Sequence, residues 1–378
     1  MKIAIVDTYY GAFLTDCYRR GAPAPEANYS VQHDALTDAC FGTSDFYSRH
    51  LNMLGHPTDD LIVNAAPLQT AWATEHSVRF SRLALNVPFR AFRLPIVGPW
   101  LASLPGLVEI AVAQIEELKP DVLYCQDLSF FPPHAVARLR RVVRLVVGQN
   151  ASPLPPEPFL RSFDLILTSF PHVVPRLRAM GIDSEYFRIG FDTKILDRLG
   201  SPNKTLGATF VGGISRHHGK ALSTLEYLAR ETPIEFFGYG ADRLDANSAI
   251  KSKHHGEVWG LDMYGALARS RVTLNRHIDT AENNANNMRL YEATGVGTML
   301  ITDMKDNLHE LFDIGKEVVA YSSPEEAADL IRYYLAHDDQ AQAIARAGQA
   351  RTLQEHTYEG RMRELVPILQ RYLGKTGP

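Results

Sequence analysis

The sequence predicts an α/β protein built of two successive doubly wound, Rossmann-like units. Three observations carry that prediction. The chain has 378 residues, enough for two domains at roughly 150 residues each. Short apolar runs alternate with amphipathic stretches, the pattern of a parallel sheet covered by helices on both faces. The alternation also runs twice, once on each side of Gly200-Ser201-Pro202-Asn203.

Taken in order, the first half places strands at Ile3–Asp7, Asp60–Asn64, Val122–Gln126, Arg144–Gln149 and Asp164–Ser169. They are short runs, several ending in Asp, Asn, Gln or Ser, as suits a strand opening into a loop. Between them, Leu107–Leu118 and His172–Met180 carry apolar residues at helical spacing. The second half repeats the pattern, with strands at Ala208–Gly212, Ile234–Gly238, Val272–Asn275, Thr298–Thr302 and Glu317–Tyr321. Helices are expected at Gly219–Arg230, Met263–Ser270 and Asn286–Ala293. Another opens at Ser323, a capping serine followed by Pro324 in the first turn and Glu326 three residues on. Tyr358–Leu373 reads as a last amphipathic helix, with Met362, Leu365, Ile368 and Leu369 on one side. The expected division is an amino-terminal domain over 1–190, a linker over 191–204 and a carboxyl-terminal domain over 205–356. Residues 357–378 are expected to form a helix packing back on the amino-terminal domain.

Composition removes several function classes. Hydrophobic residues are 45% and charged residues 22%, which excludes a disordered chain, a coiled coil and a collagen-like fibre. With 39 basic against 43 acidic residues the net charge is −4, so the sequence lacks the basic excess of a dedicated duplex-binding protein and no nucleic-acid partner is expected. No run reaches the ~18 apolar residues of a membrane span, and Met1–Asp7 reads as a strand rather than a signal peptide. A cytoplasmic enzyme is therefore expected. Cys17, Cys40 and Cys125 are odd in number and widely spaced, which implies neither a disulfide framework nor a zinc site. The pairs His217-His218 and His254-His255 lack a third ligand, and Asp242, Asp245 and Asp303 form no acidic metal cluster, so no metal site is expected.

Two basic features stand out against this balance. No acidic residue occurs from His76 to Val108, where Arg79, Arg82, Arg90 and Arg93 are interleaved with Phe80, Phe89, Phe92 and Trp100. Arg138, Arg140, Arg141 and Arg144 form a second cluster. Such faces suit an anionic acceptor or a membrane surface; the alternative is a solvated face neutralised by acids elsewhere in the fold.

In doubly wound folds ligands bind beyond the carboxyl ends of the strands, so the residues following each strand are the candidates. After Phe210-Val211 comes Gly212-Gly213-Ile214-Ser215-Arg216-His217-His218-Gly219-Lys220 and then a helix. Glycines allow close backbone approach, a helix start offers free N–H groups, and Arg216 and Lys220 add positive charge, a combination suited to phosphate. The spacing is neither a dinucleotide fingerprint nor a Walker loop. After Asn275 come Arg276-His277 and then Asn283, Asn284, Asn286 and Asn287 at a helix start, with Glu292 one turn beyond Met288. Helix capping accounts for one or two of these asparagines but not readily for four. A carboxylate at 292 suits ribose hydroxyls.

Asn287-Met288-Arg289-Leu290-Tyr291-Glu292-Ala293-Thr294-Gly295, followed by Leu300-Ile301-Thr302-Asp303, Leu308-His309-Glu310-Leu311-Phe312 and His356-Thr357-Tyr358, resembles the carboxyl half of glycosyltransferases with the two-domain GT-B fold. The group that includes spore-maturation CgeB-like proteins is the nearest in pattern. Asp121-Val122-Leu123-Tyr124-Cys125-Gln126-Asp127, Gly148-Gln149-Asn150 and Asp164-Leu165-Ile166-Leu167-Thr168-Ser169 look like that group's amino half. The resemblance spans most of 45–370.

The resemblance implies two Rossmann-like domains facing a central cleft. It implies a nucleotide-diphosphate-sugar donor on the carboxyl-terminal domain, an acceptor on the other, and transfer with no bound metal and no cofactor. Many such enzymes carry two glutamates eight positions apart; Glu292 matches the second, and the first falls at Asn284. Arg216 and Lys220 match the phosphate-binding pair at shifted spacing. Gly238-Tyr239-Gly240, Val258 and Trp259 match segments bordering the nucleotide base, and Tyr10-Gly11 the amino-domain loop facing the phosphates. Arg289 and the Asn286 helix start would join in stabilising the leaving diphosphate. For a base, Asp127 is the first candidate, with His172 and Asp7 as rivals. A strand-end Asp is also a common turn residue. His277 suits a hydrogen bond to donor sugar or phosphate, or else a structural role. The acceptor expected is a glycan, a lipid-linked glycan or a protein, with peripheral contact at the inner face of the membrane. The alternatives are a nucleotide-sugar 2-epimerase of the same fold and a non-catalytic sugar-nucleotide-binding or assembly protein, the latter favoured by Asn284.

Overall fold

A computed structural model describes residues 1–81, 106–214 and 219–375, without the side chains of 219–221. The chain divides into two units, Met1–Phe187 with Met362–Pro378, and Arg188–Arg361.

The first unit holds six strands: β1 (Ile3–Asp7), β2 (Thr58–Ile62), β3 (Val122–Cys125), β4 (Leu145–Asn150), β5 (Leu165–Thr168) and β6 (Ser184–Tyr186). They form one sheet in the order β2-β1-β3-β4-β5-β6, parallel throughout. Its helices are α1 (Gly11–Arg19), α2 (Tyr29–Asp38), α3 (Phe46–Met53), α4 (Ala66–Glu75), α5 (Leu107–Leu118), α6 (Pro133–Leu139), α7 (Glu157–Leu160) and α8 (Val173–Ala179). The central strands β3, β4 and β5 are buried along their whole length. That explains their continuous apolar runs: a strand covered on both faces has no solvent side to alternate toward. In α5, Ile110, Ala111, Gln114 and Ile115 make the buried stripe, and Lys119 ends the helix in the left-handed region at φ 48°.

The second unit repeats the scheme. It opens with α9 (Lys194–Leu199), followed by β7 (Leu206–Val211), α10 (Gly219–Glu231), β8 (Ile234–Phe237), α11 (Gly260–Arg269), β9 (Ser270–Asn275), α12 (Met288–Gly295), β10 (Met299–Asp303), β11 (Val319–Tyr321), α13 (Pro324–Ala336) and α14 (Asp338–Glu355). The sheet runs β11-β10-β9-β7-β8, again parallel. Ser323 caps α13: its hydroxyl accepts from Glu326 N at 3.2 Å, while the Glu326 carboxylate reaches one residue further back and accepts from Ser322 N at 2.7 Å. The last helix, α15 (Tyr358–Lys375), starts in the second unit and ends in the first. There Arg371 pairs with Glu185, and Lys375 with Asp183.

Several elements depart from the sequence reading. The β2 ladder runs from Ile3↔Thr58 to Asp7↔Ile62, two residues earlier than expected. Asn64 instead leaves the strand to clasp the backbone of Tyr9, accepting from its N–H at 2.9 Å and donating to its carbonyl at 2.7 Å. Strand β6 and helices α1 to α4, α6, α7 and α14 are not among the elements expected from the sequence. β6 is three residues long at the sheet edge, with only Ser184 buried, so no apolar run marks it. Residues 191–204, read as a linker, contain α9 with Ile195 buried, and fold into the second unit. The second basic cluster is neutralised at three of its four arginines: Arg138 pairs with Glu116 and Glu109, Arg140 with Asp164, and Arg144 with Asp121. Of the first cluster, Arg82, Phe89, Arg90, Phe92, Arg93 and Trp100 lie outside the described residues.

Within the second unit, the segments next to both chain crossings are tied together. Phe191 N donates to His356 O at 2.8 Å, and Tyr358 N to Phe191 O at 2.9 Å. The fully buried guanidinium of Arg361 donates to the carbonyls of Ile189 and Glu355, each at 3.2 Å, and to His356 Nδ1 at 3.1 Å. A Cβ on Gly190 would stand 2.8 Å from His356 O, so the close approach requires glycine. Gly190→Ala is expected to cost about 1–3 kcal/mol, read as a lower urea midpoint with an unchanged far-ultraviolet circular dichroism spectrum.

Candidate functional site

In each sheet the first strand of the unit lies between the second and the third, so the strand order reverses between β1 and β3 and between β7 and β9. The crevice beyond the carboxyl ends at such a reversal is where ligands bind in open α/β sheets. Most of the candidate residues lie at these two places.

In the second unit, the loops leaving β7 and β8 lie backbone against backbone. Gly212 N donates to Phe237 O at 2.9 Å and Ile214 N to Tyr239 O at 2.8 Å, which prolongs the parallel ladder past the strand ends. Gly238 (φ +127°) and Gly240 (φ +95°) make this possible, since a Cβ on either would come within about 2.1 Å of the facing carbonyl oxygen, Gly212 O or Ile214 O. A Cβ on Gly213 would meet the Tyr239 ring at 2.5 Å. That ring stacks on Trp259, centroids 5.4 Å apart and planes 9° from parallel, with Val258 half-buried just before it. Tyr239 remains 38% exposed, so the pair offers a flat aromatic surface beside the loop. Arg216 lies outside the described residues, and so does the side chain of Lys220, although its backbone opens α10.

At the end of β9, side-chain amides lock the loop and the start of α12 to the sheet. Asn275 and Asn287 exchange two amide hydrogen bonds, at 2.7 and 3.1 Å, and Asn275 also donates to the Thr302 hydroxyl at 3.0 Å. Asn287 donates further to Arg276 O at 3.2 Å. It occupies the cap position of α12 without making a cap hydrogen bond, so the first N–H groups of that helix are not closed off by it. Asn286 is buried alongside. Asn284 donates to Ala281 O at 3.3 Å. Asn307, which sequence reasoning did not single out, closes the same loop by accepting from Ala285 N at 2.6 Å.

His277 and Asp303 leave neighbouring strands and meet. The imidazole Nδ1 and the backbone N–H of His277 both reach Asp303 Oδ1, at 2.7 and 3.0 Å. Lys305 approaches the other carboxylate oxygen at 3.3 Å. Burial pushes the Asp303 carboxyl up, but the His277 contacts and the Lys305 charge outweigh it and hold the group below the usual carboxylate range. The His277 side chain is fully buried, and its Nε2 has no hydrogen-bond partner among the described residues. Asp303 was missed as a site residue because its partner is 26 positions away; only the pairing of β9 with β10 brings them together. A cavity of about 330 Å³ adjoins this dyad, with Arg276 and Lys305 as its cations and the loop residues Ser322 and Ser323 opposite.

On α12, Glu292 is buried and its Oε2 pairs with Arg289 Nη1 at 2.7 Å. The hydroxyl of Tyr264 faces Oε1 at 3.5 Å. A buried carboxylate with one close cation keeps acceptor capacity on both oxygens.

In the first unit, Asp7 ends β1, and Asp127 lies two residues past the end of its neighbour β3. Thr8 joins them: its backbone N–H donates to Asp7 Oδ1 at 2.7 Å and its hydroxyl to Asp127 Oδ2 at 2.9 Å. Asp127 Oδ1 accepts from Ser129 N at 2.8 Å, an Asx turn that engages its second oxygen. Burial, opposed by the Thr8 N–H and assisted by the Asp127 charge, raises the Asp7 carboxyl to about 7. The Thr43 hydroxyl donates to Gln126 at 2.6 Å and approaches Asp7 Oδ2 at 3.5 Å. His172 follows β5, two strand spacings from β3, roughly 10 Å sideways along the sheet. It does not join the Asp7–Asp127 pair. Tyr10 is exposed and caps α1, while a Cβ on Gly11 would meet nothing within 4 Å.

Residues 217–367 match the model of a family described as Glycosyl transferase-like. Among curated proteins none matches the sequence. Among solved structures, HepE of Anabaena in complex with UDP-glucose is similar over 98% of this chain and 100% of its own, with a TM-score of 0.60 at 15% identity. Sucrose-phosphate synthase from Thermosynechococcus elongatus is similar over 99% and 100%, with a TM-score of 0.58 at 12% identity. A glycosyltransferase from Rickettsia africae is similar over 98% of both chains, with a TM-score of 0.57 at 13% identity. At such identities these likenesses speak for the fold. The two parallel sheets with their flanking helices are those of a GT-B fold, and the family match over residues 217–367 falls within the second unit and the start of the last helix.

The raised Asp7 carboxyl has a consequence for stability. Between about pH 4 and 7 the native state keeps a proton that the unfolded chain has lost, so this group lowers stability as pH rises, by about 1.4 kcal/mol per unit. Asp7→Asn removes that slope. Its melting temperature is expected to fall less than that of the parent between pH 4.5 and 7.5, measured by scanning calorimetry.

Proposed function

We propose that the protein moves a sugar from a nucleoside-diphosphate sugar to a hydroxyl acceptor, without a metal ion. The observation that carries this reading is the β7–β9 crevice of the glycosyltransferase domain. There an aromatic pair, a helix start not capped by its asparagine and a buried His–Asp dyad stand at one strand reversal. The Tyr239–Trp259 surface suits a planar base. The first turn of α12 suits the diphosphate, because unsatisfied N–H groups and the helix dipole favour negative charge. Glu292 supplies acceptors for ribose hydroxyls and is held in place by Arg289. With Nδ1 committed to Asp303, His277 Nε2 is the ring position left for the donor. Arg216 and Lys220 would add charge at the phosphates.

In the reaction the bond from the sugar's anomeric carbon to the diphosphate oxygen breaks, and a bond from that carbon to the acceptor oxygen forms. The nucleoside diphosphate leaves with the bonding pair, and the acceptor's proton passes to a base. Of the three base candidates Asp7 is favoured, because its carboxyl is poised near 7 and its Oδ2 has only the 3.5 Å approach of Thr43, whereas the two Asp127 oxygens accept at 2.8 and 2.9 Å. A UDP-sugar is the first donor to test, since the similar HepE structure holds UDP-glucose. The CgeB-like pattern of residues 287–312 favours a glycan, lipid-linked glycan or protein acceptor met in the cytoplasm or at the inner membrane face. Asn284, standing where many such enzymes have a glutamate, favours a second reading, a sugar-nucleotide-binding protein without transfer.

A thermal-shift panel of nucleoside diphosphates and their sugars tests donor binding, because a ligand that binds only the folded state raises the melting temperature by mass action. Selective stabilisation by one base is expected, and Trp259→Ala should remove most of it. A flat response to the whole panel would refute the donor assignment. Glu292→Gln should weaken donor binding about tenfold, on the order of 1.4 kcal/mol. Asp7→Asn should leave donor binding unchanged and lower transfer by about 10²-fold or more, measured as nucleoside diphosphate released. Donor binding without transfer to any acceptor would support the second reading.

A further inference from the structure

Along the edge strand β2 of the first unit lies a cavity of about 320 Å³, within the roughly 300–1,000 Å³ of small-molecule sites. It is apart from the Asp7–Asp127 crevice. Its floor is the Thr58–Leu61 stretch, and in the ladder Asp60 stands opposite Ile5, two residues, or about 6.6 Å, before Asp7. The other walls are Tyr29 and His33 of α2, Trp72 of α4, and Gln114, Glu117 and Leu118 of α5, with His33 Nε2 held on Asp60 O at 3.0 Å.

Two features of this cavity call for a ligand. The Gln114 side chain is 1% exposed, and neither its Nε2 nor its Oε1 has a partner of hydrogen-bond geometry among the described residues. The Tyr29 hydroxyl lies beside the amide, yet one hydroxyl cannot satisfy two donors and a carbonyl. A buried polar group left unsatisfied destabilises the fold. Asp59, half-buried, has no ion pair among the described residues. Among the described residues no lysine or arginine lines the cavity, and Glu117 meets only His76, at 3.5 Å. Burial, with help from Asp45, Asp7 and Asp59, raises the Asp60 carboxyl to about 8 against the Ser48 hydrogen bond. Asp60 thus keeps its proton at neutral pH and adds no charge, so the described lining is aromatic-walled, carries its negative charge on Asp59 and Glu117, and is incomplete in its hydrogen bonds.

We propose that it binds a small ammonium-bearing ligand of sugar size. The cation would lie against Asp59 and Glu117, a hydroxyl or carbonyl would meet the Gln114 amide, and the apolar side of the ligand would rest on Tyr29 and Trp72. This inference does not rest on the transfer reaction.

The probe is glucosamine below neutral pH, compared with glucose and N-acetylglucosamine at equal ionic strength, by thermal shift and isothermal titration. Glucosamine should stabilise the protein and the two uncharged sugars should not. Asp59→Asn should abolish the response. Gln114→Leu should raise the melting temperature of the unliganded protein, since it removes a buried unsatisfied amide, and weaken glucosamine about tenfold. No response to glucosamine, an equal response to glucose, or a response unchanged in Asp59→Asn would overturn the proposal. So would a loss of unliganded stability in Gln114→Leu, which would show the amide to be a structural partner.

Discussion

The protein's chemistry depends on one constraint, the reversal of strand order beside the first strand of each sheet. In the second unit α10, which follows β7, packs on α13, while α12, which follows β9, packs on α11 and α14. The chain thus leaves two adjacent strands toward different sets of helices, and nothing in the sheet fills the space beyond their carboxyl ends. Among the described residues, the polar side chains assigned to the donor are held around that gap by neighbours that are themselves held. Asn287 binds Asn275, Asn275 binds Thr302, His277 binds Asp303, and Glu292 binds Arg289.

Such fixing has an electrostatic purpose. Donors and acceptors that are already oriented need no reorganisation when charge moves onto a leaving diphosphate. The same burial acts differently on different carboxyls. Asp303 has an imidazole and an ammonium in contact and stays below its usual range, whereas Asp7 has a backbone N–H, a distant hydroxyl and a second carboxylate nearby, and rises to about 7. One is suited to orient a histidine and the other to exchange a proton.

Glycine plays a second structural part. At Gly238 and Gly240 the backbone must pass within contact distance of the β7 exit loop in a conformation that other residues rarely adopt. That contact brings Tyr239 against Gly213 and sets the aromatic pair beside the crevice. At Gly190 the same economy of space lets the chain on either side of the two crossings hydrogen-bond to itself.

Local signals in the sequence determined the α/β class, ten of the eleven described strands, the Ser323 cap, and the position of most donor-side candidates after strands β7, β8 and β9. These are properties of short windows: an apolar run, a capping serine, a glycine pair before a helix. Tertiary structure alone decided the rest. The edge strand β6 has no run to read, and the 191–204 segment folds because Ile195 finds a core. Asn287 ties the start of α12 to the end of β9 instead of capping, Asn284 bonds within its own loop to Ala281 O, and Asp303 enters the site only through the β9–β10 pairing. Asp7 gains its proton affinity from burial and from Asp127, a residue 120 positions away that lies beside it because β1 and β3 are neighbours. Residue types and local periodicity are written in the chain; which of them meet, and how far from water, is fixed only when parallel strands distant in sequence are brought side by side.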